Sequence, residues 1–102
     1  MKKYNEEELN DYLKKELNFW ENNQFKFIEA TFKFKNFKES IKFINEIAEY
    51  AENIDHHPDI KINYDKVNLQ LSTHTENAIT NLDTELALKI QDLYKKDYKT
   101  TK

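Results

Sequence analysis

The chain has no glycine in 102 residues and a single proline, Pro58. Turns that need positive φ must therefore use residues with a Cβ, and Asn and Asp tolerate the left-handed region better than most. The abundant Asn thus marks candidate turns, although part of it reflects a compositional bias towards Asn and Lys. No repeat, linker or low-complexity stretch interrupts the chain, and its length suits one domain, 1–102, with one modest core. The apolar fraction is 38%, and seven Phe, six Tyr and one Trp supply bulky groups for that core.

Local patterns divide the chain into seven elements. Asn5 is a plausible N-cap with Glu8 closing a capping box, opening a helix to about Glu16 with Leu9, Leu13 and Leu17 on one face. Between Phe19 and Phe34 the chain is aromatic and alternating, with Asn22-Asn23 as the turn between two strands. Phe37, Ile41, Ile44, Ile47, Ala48, Ala51 and Ile54 recur at helical spacing as one apolar face, and the helix must end near Asp55 because Pro58 biases His57 away from helix. Ile60, Ile62 and Tyr64, then Val67, Leu69 and Leu71, alternate as a hairpin. A last helix runs from Thr80, its N-cap, to about Tyr94, with Asp83 at N3 and Leu82, Leu86, Ile90 and Leu93 facing the core. The expected fold class is α+β: a four-stranded antiparallel sheet with three helices packed on one face, in the order α-β-β-α-β-β-α. The Lys95, Lys96, Lys99, Lys102 tail reads as a solvated, frayed end.

Composition excludes several functions. Without cysteine there can be no disulfide, thiolate nucleophile or Cys-based zinc site. Sixteen basic residues, all Lys, stand against 19 acidic ones spread along the chain, for a net charge of −3, so no nucleic-acid partner is expected. No apolar run approaches a membrane span and no secretory signal is visible, so no membrane partner and a cytoplasmic location are expected.

Three histidines remain as the scarce chemistry. A hairpin turning through Asp65 and Lys66 would pair Tyr64 with Val67, Ile62 with Leu69 and Ile60 with Leu71, and its continuation would set His57 opposite His74. His56 ends the second helix, where the macrodipole favours imidazolium, and Glu52 lies four residues back on the same face, able to orient or charge it. Imidazoles beside a carboxylate suit proton donation and removal in one site. Asp83 could return to this region, although capping alone would also select an acid there. A His-His pair after a helix is by itself more often surface or capping chemistry than catalysis. Tyr64 reads as a cross-strand packing residue, and Trp20 as core or interface.

The run Glu52-x3-His56-His57-Pro58-x5-Tyr64-x9-His74-x8-Asp83 resembles the signature of the pterin-4a-carbinolamine dehydratases. The similarity extends to Asp55-His56-His57-Pro58-Asp59, Tyr64-x-Lys66-Val67, Leu71-Ser72-Thr73-His74, Leu86-Ala87 and Ile90, and more loosely to Trp20, Phe32, Phe34 and Phe37. It covers the chain from about Trp20 to Gln91. Two departures stand out. Asn77-Ala78-Ile79-Thr80 replaces a Gly-Gly-Leu-Thr common in relatives, and Leu82 stands where some relatives carry a basic residue.

The resemblance implies dehydration of 4a-hydroxytetrahydrobiopterin to quinonoid dihydropterin and water, in support of tetrahydrobiopterin recycling. It implies His56, His57 and His74 as the catalytic residues. Glu52, Asp83, Asp55, Ser72 and Thr73 would bind or orient the substrate. No cofactor and no metal are implied, although three His with Glu52 and Asp83 could in principle hold zinc or iron. The partners implied are a pterin substrate, a functional link to an aromatic amino acid hydroxylase, and copies of the chain in a homodimer or homotetramer. The alternative is a dimerisation or regulatory module that binds a partner protein helix, because animal relatives also stabilise a homeodomain transcription factor.

Overall fold

A computed structural model describes residues 1–98, so Lys99 and Lys102 lie outside the described residues. The helices are α1 (Glu6–Glu16), α2 (Phe37–Ile54) and α3 (Asn81–Asp97), and the strands are β1 (Glu21–Asn23), β2 (Phe27–Lys33), β3 (Asp59–Asn63) and β4 (Lys66–Leu71). Lys95 and Lys96 belong to the last turn of α3, where cations meet the negative end of the helix. The strands form one antiparallel sheet in the order β1-β2-β4-β3. Alternation sends Ile28, Ala30 and Phe32 of β2, and Val67, Leu69 and Leu71 of β4, into the core beneath the helices. The opposite face is polar and centred on Glu29, which accepts hydrogen bonds from Asn23, Asn68 and Gln70. The fold class and element order are as the sequence pattern predicts. No helix among the described residues is long and apolar enough to cross a membrane.

Asn5 caps α1 in a full capping box with Glu8, and Thr80 does the same for α3 with Asp83. The turns depart from expectation. Positive φ occurs at Gln24, Phe25, Asp55, Tyr64 and Asn77, so only two of these five are Asn or Asp. Asn22 and Asn23 are strand residues, and the first hairpin turns at Gln24-Phe25. There the Asn22 side chain accepts from the Phe25 N–H at 2.7 Å, and the Phe25 ring packs on the core. These contacts hold a I′-like pair of positive φ angles without glycine.

The second hairpin is displaced as well. It turns at Tyr64-Asp65, pairing Asn63 with Lys66, Ile62 with Val67 and Ile60 with Leu69. This corrects the expected pairing of Tyr64 with Val67 and the turn at Asp65-Lys66. A shift of two residues leaves every side chain on the same face, so alternation cannot detect it. Asp65 decides the matter: its carbonyl accepts from the Phe34 N–H at 2.7 Å and its carboxylate holds the Lys33 ammonium at 2.6 Å. Tyr64 takes the left-handed turn position and is 63% exposed, so it is not a packing residue.

The apolar face expected on α2 is also only half right. The sheet covers an arc of Ser40, Phe43, Ile47 and Ala51, whereas Phe37, Ile41 and Ile54 are exposed. Phe43 joins Phe32, Phe34, Tyr94 and Tyr98 in a cluster of edge-on and tilted rings. Burial pushes the Tyr98 phenol above its usual range, and the hydrogen bond it donates to Glu46 adds to this. Trp20 is buried, and its indole N–H has no partner among the described residues.

Candidate active site

The position of His56 follows from how α2 stops. Asp55 takes the left-handed conformation; its N–H bonds to the Glu52 carbonyl and the His56 N–H reaches back to the Ala51 carbonyl at 3.0 Å. This is the Schellman pairing, usually built on glycine and here on an aspartate that tolerates the same backbone region. Pro58 follows three residues after Asp55 and cannot continue the helix. The imidazole of His56 is turned inward and almost fully buried.

Its partner is Asp83, not Glu52. His56 Nε2 lies 2.5 Å from Asp83 Oδ1. Asp83 is fully buried, and its other oxygen accepts from the Thr73 hydroxyl at 2.9 Å and the Thr80 N–H at 2.8 Å. Thr73 and Thr80 are themselves joined through their hydroxyls at 2.7 Å. Since the Thr73 proton goes to Asp83, the Thr80 hydroxyl donates to Thr73. The capping acid of α3 thus doubles as the orienting carboxylate of a buried histidine. With donors on its second oxygen, the aspartate receives the Nε2–H and leaves Nδ1 of His56 for the cleft.

Glu52 instead meets His57, with Nε2 and Oε2 2.6 Å apart and both side chains more than half exposed. The reason is the reversal at Asp55, which carries His56 into the core and leaves His57 on the outer side beside the last turn of α2. His57 is not opposite His74, as the hairpin register had suggested. The observed register, continued beyond Asp59–Gln70, sets His57 against Ser72. His74 opens the short 3-10 turn His74–Glu76, which Asn77 closes with positive φ.

The three imidazoles nevertheless line a single cleft of about 410 Å³. Asp55, Ser72 and Thr73 line it too, so six of the eight residues singled out from the sequence border it directly, and Glu52 and Asp83 each hold one of its histidines. Met1, Thr75 and Leu82 also line it and were not foreseen as site residues. Among the described residues, no group of three His, Asp or Glu side chains is arranged to hold a metal ion. The cleft therefore offers a buried histidine–aspartate pair, an exposed histidine–glutamate pair and a third imidazole. These groups can donate and remove protons at neighbouring points of one bound molecule.

Comparison with known proteins shows the family. The sequence pattern described as pterin 4 alpha carbinolamine dehydratase matches residues 2–93. A provisionally named pterin-4-alpha-carbinolamine dehydratase of Sulfolobus acidocaldarius is 49% identical over 74 residues, covering 72% of this chain and 78% of the relative. One from Sulfurisphaera tokodaii is 44% identical over 93 residues, covering 91% of this chain and 98% of the relative. The crystal structure of a transcriptional coactivator/pterin dehydratase from Brucella melitensis superposes with a TM-score of 0.84 at 35% identity, covering 89% of this chain and 97% of that one. With the match spanning nearly all of its length, the chain belongs to the pterin 4 alpha carbinolamine dehydratase family.

Proposed function

We propose that the protein dehydrates pterin-4a-carbinolamine (4a-hydroxytetrahydrobiopterin) to quinonoid dihydropterin and water by histidine general acid/base catalysis, in support of tetrahydrobiopterin recycling after an aromatic amino acid hydroxylase. It is a hydro-lyase of the family to which it belongs. The observation that carries the mechanism is the convergence of His56, His57 and His74 on one cleft, with His56 held by a buried carboxylate.

In this elimination the C4a–oxygen bond breaks and the hydroxyl leaves as water after accepting a proton. A second group removes a ring proton, whose bonding pair forms the new double bond. Both roles need groups that titrate near neutrality. His56 and His74 divide them, and His57, steadied by Glu52, shares the proton load. Asp55, Ser72 and Thr73 supply polar contacts for the heterocycle's hydrogen-bonding edge. A cytoplasmic setting, suggested by composition, belongs to the same reading. Stopped-flow ultraviolet measurement on freshly generated 4a-hydroxytetrahydropterin tests it. Substitution of His56 or His74 by Ala should lower turnover by roughly 10² or more. Unchanged turnover in both variants would exclude the assignment.

The outer arc of α2 supports a second element of the proposal, assembly into a homo-oligomer. Phe37 is 49% and Ile41 37% exposed, and Lys38 and Lys42 flank this stripe near the helix N-terminus while Glu49 and Glu52 flank it near the C-terminus. Against a second α2 running antiparallel, lysines meet glutamates and the apolar stripes meet each other. Sedimentation should show dissociation of an Ile41→Glu variant, and a monomeric parent protein would end this part of the reading. The alternative function, a module binding a foreign helix, would use the same stripe and predicts a parent that is monomeric until the partner is added.

A further inference from the structure

Asp83 has no exposure to solvent, so its charge must be balanced by the donors packed around it. Two of them reach Oδ2: the Thr80 N–H at 2.8 Å and the Thr73 hydroxyl at 2.9 Å. The Thr73 hydroxyl in turn accepts from the Thr80 hydroxyl at 2.7 Å, and Thr80 Oγ1 accepts from the Leu82 N–H at 3.2 Å. Each hydroxyl has a single proton, so these bonds run one way, from Thr80 to Thr73 to Asp83. Thr73 is 4% exposed and Thr80 is fully buried, so bulk water has little access to either. The next buried hydroxyl, on Thr84, is engaged elsewhere: it donates to the Asn81 carbonyl at 3.2 Å and accepts from the Tyr4 hydroxyl at 3.1 Å. The backbones that carry the two threonines are fixed independently of their side chains, Thr73 by a bridge to Ala78 and Thr80 by a bridge to Lys3.

We propose that Thr73 and Thr80 are positioning residues of the dehydration: their hydroxyls form a one-way relay that locks the Asp83 carboxylate and keeps its shared proton on Nε2 of His56. This rests on the dehydratase reading and adds a role exerted through Asp83, distinct from contact with the heterocycle. The relay occupies Oδ2, so Oδ1 is left for His56, and the carboxylate cannot pivot without breaking the bonds that hold Oδ2. Hydrogen bonds to the charged form of a carboxylate favour that form. The shared proton therefore stays on the imidazole, and Nδ1 stays open to the cleft as a proton acceptor. Thr73 has one lone pair left with which to accept from a bound molecule, but its only hydroxyl proton is already committed to Asp83.

Three variants of the full-length protein test the relay. Thr73→Val removes the donor to Asp83 and leaves the α3 capping box intact, Thr80→Val removes the outer hydroxyl, and Thr80→Ser keeps it. With three histidines in the chain, the ring ¹⁵N signals can be followed in the free protein, while the stopped-flow dehydration assay gives kcat and KM. In the parent, His56 should show a protonated, pyrrole-type Nε2 and a pyridine-type Nδ1. Thr73→Val should draw these two signals together and lower kcat roughly tenfold, a part of the roughly 10² that the imidazole supplies, with KM little changed. Thr80→Val should act in the same direction but only about threefold, because it weakens the bond made by Thr73 without removing it. Thr80→Ser should recover both the ring signals and kcat. A raised KM with unchanged kcat in Thr73→Val would overturn the relay and place that hydroxyl on the substrate. A greater loss in Thr80→Val than in Thr73→Val would overturn it too, by placing the effect in the helix cap. Should Thr80→Val fail to fold, Thr73→Val decides alone. Parental ring signals and kcat in Thr73→Val end the relay and spare the dehydratase reading, whereas a parent protein that does not turn over the carbinolamine ends both.

Discussion

Asp83→Asn is the substitution that most directly separates stability from chemistry in this site. The carboxylate serves three donors: the His56 ring, the Thr73 hydroxyl and the Thr80 N–H. The amide of the introduced Asn can keep its oxygen towards Thr73 and Thr80, which turns its NH₂ towards His56. The imidazole can accept that proton only by moving its own to Nδ1, so the hydrogen bond survives with reversed polarity. A bond to a charged group, worth about 1.5–3 kcal/mol, is then exchanged for a neutral one worth about 0.5–1.5 kcal/mol. The variant should lose about 1–2 kcal/mol of stability and remain folded at room temperature. Its His56 now presents N–H to the cleft in every neutral molecule and can no longer take a proton there. Turnover should fall by roughly 10²–10⁴. Asp83→Ala is the contrasting control. It strands all three donors of a buried carboxylate and should cost about 3–5 kcal/mol. Urea unfolding and the stopped-flow dehydration assay on the same preparations give the two numbers. Unchanged turnover in the Asp83→Asn variant would refute the proposed link between the aspartate, the tautomer and the reaction.

Tyr64 holds positive φ at the first turn position of β3–β4, where a II′ turn prefers glycine, so Tyr64→Gly should raise stability by about 0.5–1 kcal/mol in urea unfolding without altering turnover. Glu29 is held below the usual carboxylate range by hydrogen bonds from Asn23, then Asn68 and Gln70. Its folded value lies below the unfolded one, so its contribution is complete above the reference value of 4.5 and is lost as pH falls through the depressed value. Glu29→Gln should therefore be less stable than the parent at pH 7, by about 1 kcal/mol, with the gap closing in acid unfolding series. Phe43→Ala should cost about 3–5 kcal/mol, whereas Phe37→Ala on the outer arc of the same helix should change the unfolding free energy of the isolated subunit by less than about 0.5 kcal/mol.

The parts of this fold legible in the sequence are those decided by neighbours along the chain. Asn5 with Glu8, and Thr80 with Asp83, are local exchanges of hydrogen bonds, and both helices start where these pairs require. The parts that were not legible depend on contacts between distant segments. Lys33 and the Phe34 N–H, from another strand, hold Asp65 and so choose between two hairpin registers that alternation leaves equivalent. On α2 the apolar residues span more than one face, and only the sheet selects the arc of Phe43 and Ile47. Within the site, spacing brought forward residues that border one cleft but set Glu52 beside His56, whereas it meets His57. One left-handed residue at Asp55 sends consecutive side chains to opposite sides, and helical periodicity no longer applies beyond it. Leu82 drew notice as a departure from relatives, and Met1, which local patterns gave no reason to single out, lines the same cleft.

The stop of α2 has a consequence for how the protein can vary. The N–H of His56 completes the final pairing of that helix, so the buried imidazole inherits its azimuth from the winding of the eighteen-residue helix before it. Each residue contributes about 100° of rotation. Inserting or deleting one residue within α2 would swing His56 away from Asp83 even if the helix remained intact. A length change in this segment would thus cost the His56–Asp83 contact, whereas a substitution on its outer arc would leave that contact in place.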